Sequence, residues 1–192
     1  LHTHSAASDG VLSPAALLAS AVEAGVGLFS ITDHDTLAAY DDIGRGSWHG
    51  GVRVVPGIEL SAQWRGRVVH VLGYGFDWAA PALNAGIAQQ RARREARAVA
   101  IGERLRRKGI EGAFEGARRL AGAGSIGRPH FARHLVNTGI ARSVDEAFSR
   151  HLSDRATAGV PQEWASLADA VGWIVADGGV AVLAHPVKYQ YT

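Results

Sequence analysis

Hydrophobic and polar positions change period several times along this chain, and the changes mark its elements. After a polar opening, Ser13-Pro14 reads as a helix N-cap and first helical position, and AALLASAVEAG continues as a helix closed by Gly25. VGLFSITDHD is a short apolar run ending in polar residues, the pattern of a buried parallel strand that delivers side chains to a site at its C-terminal end. TLAAYDDIGRG predicts a second helix, and VRVVPGIEL a further strand ending in Glu59. SAQWRGRVVHVLGYGFD alternates as a hairpin turning near Arg65-Gly66, with His70 on the return strand. From about Pro81 to Pro161 the pattern is helical, rich in Ala and Arg, and broken by EGARRLAGAGSIGRPH. SLADAVGWIVADGG then predicts an amphipathic helix ended by glycines, and VAVLAHP a final buried strand with His185 at its tip.

This order describes an α/β unit with parallel strands. It divides the chain into a first part over residues 1–80, a helical insertion over 81–161 and a return to the first architecture over 162–192. Polar residues gather at the strand ends: His2 and His4, His34, Glu59 and His185. In such folds the C-terminal edge of the sheet collects ligands and catalytic groups. The His2-x-His4 pair alone is weak, because any strand turns residues two apart to one face. Four strand ends in agreement are a much stronger signal.

Composition narrows the chemistry. The 192 residues are 47% hydrophobic and 20% charged, which suits one sizeable core or one domain carrying a subdomain. There is no cysteine, so disulfides and thiolate chemistry are excluded and any metal must be held by His, Asp and Glu. Apolar runs are broken well short of a membrane span, and no basic-then-apolar signal opens the chain, so a soluble, cytoplasmic protein is expected. The chain starts at Leu1, contains no Met and ends on HPVKYQYT without a helix stop, so a longer parent is expected at both ends.

His2, His4, Asp9, His34, Glu59, His70 and His185 make a candidate set of five imidazoles and two carboxylates. That is too many ligands for one ion, and Glu59 suits a bridging position, so two or more metal ions are expected. Closely spaced ions polarise a phosphoryl oxygen, acidify a bridging water and steady a leaving oxygen, which makes phosphoester hydrolysis the natural reaction. The formal net charge is only +2, yet arginines concentrate between Gln89 and Lys108. A solvated helix face is the ordinary reading of such a run. A phosphate-receiving wall is the alternative, since guanidinium donates two parallel hydrogen bonds.

LHTHSAASDG, ITDHDT, VVPGIELSA, VVHVLGYG and AVLAHP resemble the successive motifs of the polymerase-and-histidinol-phosphatase (PHP) superfamily of metal-dependent phosphoesterases. Together with EGARRLAGAGSIGRPHFARHLV and VPQEWASLADAVGWIVADGGVAVLAHPVKY, they resemble the branch of 3′,5′-nucleoside bisphosphate phosphatases, some of which also trim RNA from its 5′ end. The resemblance implies a distorted TIM-like barrel of about seven strands with a helical insertion, its C-terminal part missing from this chain. It implies a trinuclear centre holding Mn, Fe or Zn. One metal would take His2, His4 and Glu59; a second would share Glu59 and add His70 and His185; a third would take Asp9 and His34. The family's late Gly-Ser-Asp-x-His motif, which completes the first and third sites, is absent, so the chain is expected to continue past Thr192.

By the same resemblance, Arg94, Arg97, Arg128, His130 and His134 would face substrate phosphates. Arg91 extends the stripe of Arg94 and Arg97, and His130 and His134 are four apart on one face if their segment is helical. Asp35 is the one weak candidate for a general acid. His49 and His151 are expected at the surface, and Trp64, Trp164 and Trp173 in the core, with Trp164 near the mouth of the site. The expected substrate is a nucleotide bisphosphate or a short RNA, with neither a membrane nor an obligate protein partner. The rivals are a phosphatase of a small metabolite such as histidinol phosphate and a non-catalytic metal-stabilised binding module.

Overall fold

Ser13 caps the first helix as its position predicts: its Oγ accepts from the Ala16 amide at 3.2 Å, Pro14 takes the first turn, and α1 runs Pro14–Glu23 before Gly25, at φ 66°, turns the chain away. The computed structural model describes residues 1–44, 48–77, 79, 81–153, 160 and 163–189. The elements that follow α1 are β1 (Leu28–Phe29), α2 (Ala39–Ile43), β2 (Trp48–His49), β3 (Val52–Val54), β4 (Gly57–Trp64) and β5 (Arg67–Tyr74). Helices α3 (Pro81–Arg107), α4 (Ala113–Ala121), α5 (Arg128–Asn137) and α6 (Val144–Ala147) come next, the last running on into a wide helical turn at Phe148–Leu152. The chain then returns through β6 (Ala165–Ser166), α7 (Leu167–Ala176) and β7 (Val180–Leu183) to a 3₁₀ turn at Pro186–Tyr189. The expected end of the insertion at Pro161, and the start of the return at residue 162, lie outside the described residues.

The strands form two sheets, ordered β1-β3-β2 and β6-β4-β5-β7. Among the described strand pairs β1/β3 and β4/β6 are parallel while β2/β3, β4/β5 and β5/β7 are antiparallel, which corrects the expectation of a parallel unit. The expected hairpin accounts for one antiparallel pair: Arg65 and Gly66 both have positive φ, 47° and 75°, the conformation of a tight two-residue turn that folds β5 back against β4. VRVVPGIEL is also not one strand. Pro56, with no N–H to offer a ladder, separates β3 from β4, and Glu59 falls inside β4 instead of at a strand end. The strand VAVLAHP, expected to be buried, is β7 at the edge of its sheet, with Val180 62% and Val182 43% exposed.

Three apolar cores hold these elements. One joins α1, α2 and the first sheet, another joins the second sheet to α7 and to Leu83 and Ile87 of α3, and the third lies among the insertion helices. Helix α3 is common to two of them, because Ala98, Ile101 and Leu105 near its far end belong to the insertion core. Tyr40 ties the segment that follows β1 to the start of β4. Its buried hydroxyl donates to the Ile31 carbonyl at 2.6 Å and accepts from the Gly57 amide at 2.8 Å, and burial pushes its pKa up to about 12. A Cβ at Gly57 would lie 2.0 Å from Ser30 Oγ and 3.1 Å from the Ile31 carbonyl oxygen, so a larger residue there would displace the Ser30 side chain. No described helix is long and apolar enough to cross a membrane.

Candidate metal centre

The first histidine pair is placed by the residue between its members. Thr3 lies along the extension of β1, its carbonyl accepting from Thr32 N at 2.8 Å and its hydroxyl donating to Ser30 O at 2.9 Å, so His2 and His4 turn to the opposite face. The loop that follows is tied by Asp33. Its buried carboxylate accepts from Ser5 N at 2.7 Å, Ser5 Oγ at 2.5 Å and Ser8 Oγ at 2.6 Å, and this sets the turn that presents Asp9. Burial raises the Asp33 pKa against the pull of those hydrogen bonds. Gly10 closes the loop where a Cβ would meet the His4 carbonyl oxygen at 2.2 Å.

Glu59 is the hub. A parallel bridge pairs it with His34, and the hairpin register, Ser61 opposite His70, brings His70 to the same face. Its Oε2 lies 3.0 Å from His2 Nε2, 3.0 Å from His4 Nε2 and 3.6 Å from His34 Nδ1. Its Oε1 lies 2.9 Å from His70 Nδ1 and 3.3 Å from His185 Nε2. Asp9 stands 3.6 Å from His4 and 3.8 Å from His34. All seven sequence-predicted ligands thus converge, with Glu59 serving five imidazoles through two oxygens. His185 holds a left-handed φ of 33° ahead of Pro186, backbone strain of the kind that collects at functional positions.

The electrostatics favour ions. Burial alone would raise the Glu59 carboxyl, yet hydrogen bonds from His4 and His70 and the neighbouring imidazole charges hold it well below the usual range. Burial, with Arg94 adding to it, lowers His34, and burial and His70 lower His185, so both are kept neutral, the form that binds metal. For His4 burial is outweighed by Glu59 and Asp9, which raise it. Nδ1 of His4, His34 and His185 are buried without a hydrogen-bond partner. Donor groups about 3 Å apart that leave ring nitrogens unsatisfied fit a tetrahedral site, where ligands at about 2.1 Å from one ion sit about 3.4 Å apart. His2-His4-Glu59, His4-Asp9-His34 and His34-Glu59-His70 each present such a set.

A cavity of about 220 Å³ opens on this cluster, lined by Asp9, His34 and His70 together with Arg97, Arg128, Trp164 and Lys188. Arg94 also reaches it, but its guanidinium is held by Asp35: Nε donates to Oδ2 at 3.0 Å, Nη2 makes a shorter bond to the same oxygen, and Nη2 also donates to Ser61 Oγ at 2.9 Å. Asp35, at 0% exposure and a φ of 53°, further accepts from Ser61 N and Oγ, both at 2.9 Å. The weak general-acid reading of Asp35 fails on this geometry, since its carboxylate is the fixed counter-ion of Arg94. Two more expectations are corrected. His130 is buried with Nδ1 accepting from Gly127 N at 3.0 Å, where it closes the first turn of α5, and His134 lays its ring on Gly116 of α4. Neither lines the cavity.

No protein-family model matches the chain. Its relatives are nonetheless close. It is 42% identical over 192 residues to a 5′-3′ exoribonuclease of Haemophilus influenzae, covering 100% of this chain and 70% of that protein. It is 40% identical over 191 residues to a 3′,5′-nucleoside bisphosphate phosphatase of Chromobacterium violaceum, covering 99% and 67% respectively. The chain belongs to this family of phosphoesterases. Two solved structures agree. One, an amidohydrolase of Chromobacterium violaceum holding sulfate and no metal, superposes with a TM-score of 0.92 at 39% identity, over 100% of this chain and 68% of that one. The other, described as a metal-dependent phosphoesterase of Bifidobacterium adolescentis, gives 0.85 at 27% identity over the same shares. The chain therefore spans about two thirds of the length of the proteins it matches, and its mixed α/β fold is that of PHP-type phosphoesterases.

Against this phosphoesterase frame, sequence reasoning missed Lys188, Ser61 and Asp33. Lys188 follows His185 by three residues, one turn of the 3₁₀ segment, and lines the cavity. Asp33 flanks His34, and period-two alternation turns it off the face of that ligand toward the N-terminal loop. Trp164 is buried, as expected, but it also lines the cavity, with Arg94 and Arg97 at 5.1 and 6.0 Å from its ring centroid. Trp64 and Trp173 pack on the second sheet's core, and His49 and His151 stand apart from the cluster in β2 and the Phe148–Leu152 turn.

Proposed function

We propose that this chain is the catalytic part of a metal-dependent hydrolase acting on the terminal phosphate of a nucleoside 3′,5′-bisphosphate, and that it also trims the 5′ end of short RNA. The observation that carries this is one cavity lined both by Asp9, His34 and His70 of the Glu59 cluster and by the cations Arg97, Arg128 and Lys188. Bound divalent ions supply Lewis acidity and an acidified attacking water. His2, His4 and Glu59 would hold one ion, Glu59, His70 and His185 a second, and Asp9 with His34 a third. Arg97 and Arg128 grip a second phosphate through planar donor pairs, while Lys188 offers a point charge beside His185. Orientation of that kind turns a bimolecular encounter into a positioned one. A monophosphate such as histidinol phosphate has no use for this second set of cations.

Phosphate release from adenosine 3′,5′-bisphosphate by the metal-loaded protein tests the reading, with Arg128→Ala and histidinol phosphate as controls. Turnover of the bisphosphate that falls in Arg128→Ala while metal content holds supports it. Preference for the monophosphate, or full loading without turnover of either, overturns it.

A further inference from the structure

The cavity suffices for a mononucleotide, but the arginines continue past its rim. Arg97 lines the metal-side cavity and also a second depression of about 320 Å³ on the outer face of α3, which it shares with Arg93, Ala96 and Ala100. A third depression of about 270 Å³ follows, beginning at the same Ala100 and walled by Arg104 and Arg107. With 3.6 residues per turn, Arg93, Arg97, Arg104 and Arg107 fall within about 80° of one another around the helix, whereas Arg91 and Arg94 lie on its other flank. Ala96 and Ala100 keep the floor between the arginine arms low. From Arg97 to Arg107 the row spans about 15 Å at 1.5 Å per residue, the reach of about four stacked nucleotides at 3.4 Å each.

The acids on the helix do not cancel this row. Glu95 pairs with Arg118 away from it, and Glu103, which lines the third depression beside Arg104 and Arg107, is held by Arg106 at 3.0 Å. Glu163 is the acid that faces the second depression. Arg104 Nε is buried with no hydrogen-bond partner. A groove of fixed cations that begins at a phosphoesterase cavity and runs away from it complements a chain carrying one negative charge per unit, not a small molecule.

We infer that the outer face of α3 is the track for the trailing nucleotides of single-stranded RNA, with Arg97, Arg104 and Arg107 on backbone phosphates along its length while the 5′ nucleotide occupies the metal cavity. The inference rests on the RNA half of the function proposed above. It assigns the two substrates different footprints: the bisphosphate uses the cavity alone, and RNA uses the cavity and the groove.

The test compares wild type with Arg104→Glu/Arg107→Glu, and with the milder Arg104→Gln/Arg107→Gln. Binding of a 3′-fluorescein-labelled, 5′-phosphorylated oligoadenylate of twelve nucleotides is followed by anisotropy in EDTA, where nothing is hydrolysed. Both variants should bind it about tenfold or more weakly at low salt, and the log–log salt slope should become shallower by about 1.4 for two lost phosphate contacts on a single strand. A dinucleotide should bind equally to all three proteins, and kcat/KM on adenosine 3′,5′-bisphosphate should stay within about twofold. Unchanged oligonucleotide binding and salt slope overturn the groove and leave the bisphosphatase reading standing. Equal losses on bisphosphate and oligonucleotide also overturn it, by showing that the two arginines act through the fold. A wild type that hydrolyses neither substrate fails the parent reading, and the anisotropy data still decide whether the groove binds RNA.

Discussion

Two buried carboxylates two chain segments apart, Glu59 on β4 and Asp35 beside β1, meet positive groups in opposite ways. Glu59, 1% exposed, is ringed by five imidazoles, none of which carries a fixed charge. Asp35, 0% exposed, is met by a guanidinium that is always charged, and by the amide and hydroxyl of Ser61. The first arrangement leaves ring nitrogens unsatisfied and invites an ion; the second is closed. Asp35 and Arg94 therefore join the insertion to the sheet. Gln90 reinforces the joint, donating to the Ser61 carbonyl and accepting from Ala165 N at 3.2 Å. One carboxylate works by being incomplete and the other by being saturated.

The sharpest way to break the comparison is to remove the hub. Glu59→Gln keeps the shape and takes away the charge shared by two metal groups. Metal content and phosphatase activity should both fall by more than about 100-fold, beyond the range seen for partners that only orient ligands. Metal analysis by mass spectrometry checks this, and an unchanged content would return Glu59 to the rank of a core acid.

Next comes the clamp. Arg94→Met leaves the Asp35 charge buried and unpaired, and should cost about 3–5 kcal/mol in denaturant unfolding. Asp35→Asn/Arg94→Met should recover a large part of the loss, because the pair is then neutral on both sides. A loss under about 1 kcal/mol, together with a higher KM for bisphosphate, would make Arg94 a substrate ligand and dissolve the contrast with Glu59.

What the sequence made legible follows the same division. The five histidines, Asp9 and Glu59 were readable because they belong to ordered motifs, and all seven converge even though the strands carrying them were misdrawn. Pro56 splits the strand before Glu59, and β7 is open at its edge, yet neither change moves a ligand off its face. The insertion was less readable. Arg94, His130 and His134 have the residue types of an anion site, but their roles depend on what approaches from elsewhere: Asp35 for the first, the Gly127 amide for the second and the bare backbone of Gly116 for the third. Such contacts are tertiary, and no period or spacing encodes them.

His130 offers a way to sharpen the contrast through pH. Burial, with Arg133 nearby, lowers its pKa to about 4, against about 6.5 unfolded, so the unfolded chain binds the extra proton first. Stability should therefore rise with pH through this window, being fully present above about 6.5 and lost as pH falls toward 4. The two values correspond to about 3 kcal/mol from this one group. His130→Asn keeps an acceptor where Nδ1 sits and removes the titration. Its unfolding free energy should be flatter than wild type between pH 6.5 and 4, as measured by denaturant titration at each pH; parallel curves would show that His130 does not contribute.

The smallest effect belongs to Asp33, whose carboxylate is committed to Ser5 and Ser8. Asp33→Ala strips the Ser5 amide and two serine hydroxyls of their acceptor and loosens the turn between His4 and Asp9. Partners that orient ligands in this way are worth about 10–100-fold in metal affinity. The loss should fall on the groups containing His2, His4 and Asp9 and spare the pair His70 and His185, so a metal titration should lose its tighter steps unevenly. Asp33→Asn, which keeps one acceptor oxygen, should lie between the two. Uniform weakening of every step would mean that Asp33 acts on the fold as a whole; uneven weakening would show the N-terminal loop to be a separately adjustable arm of the nest around Glu59.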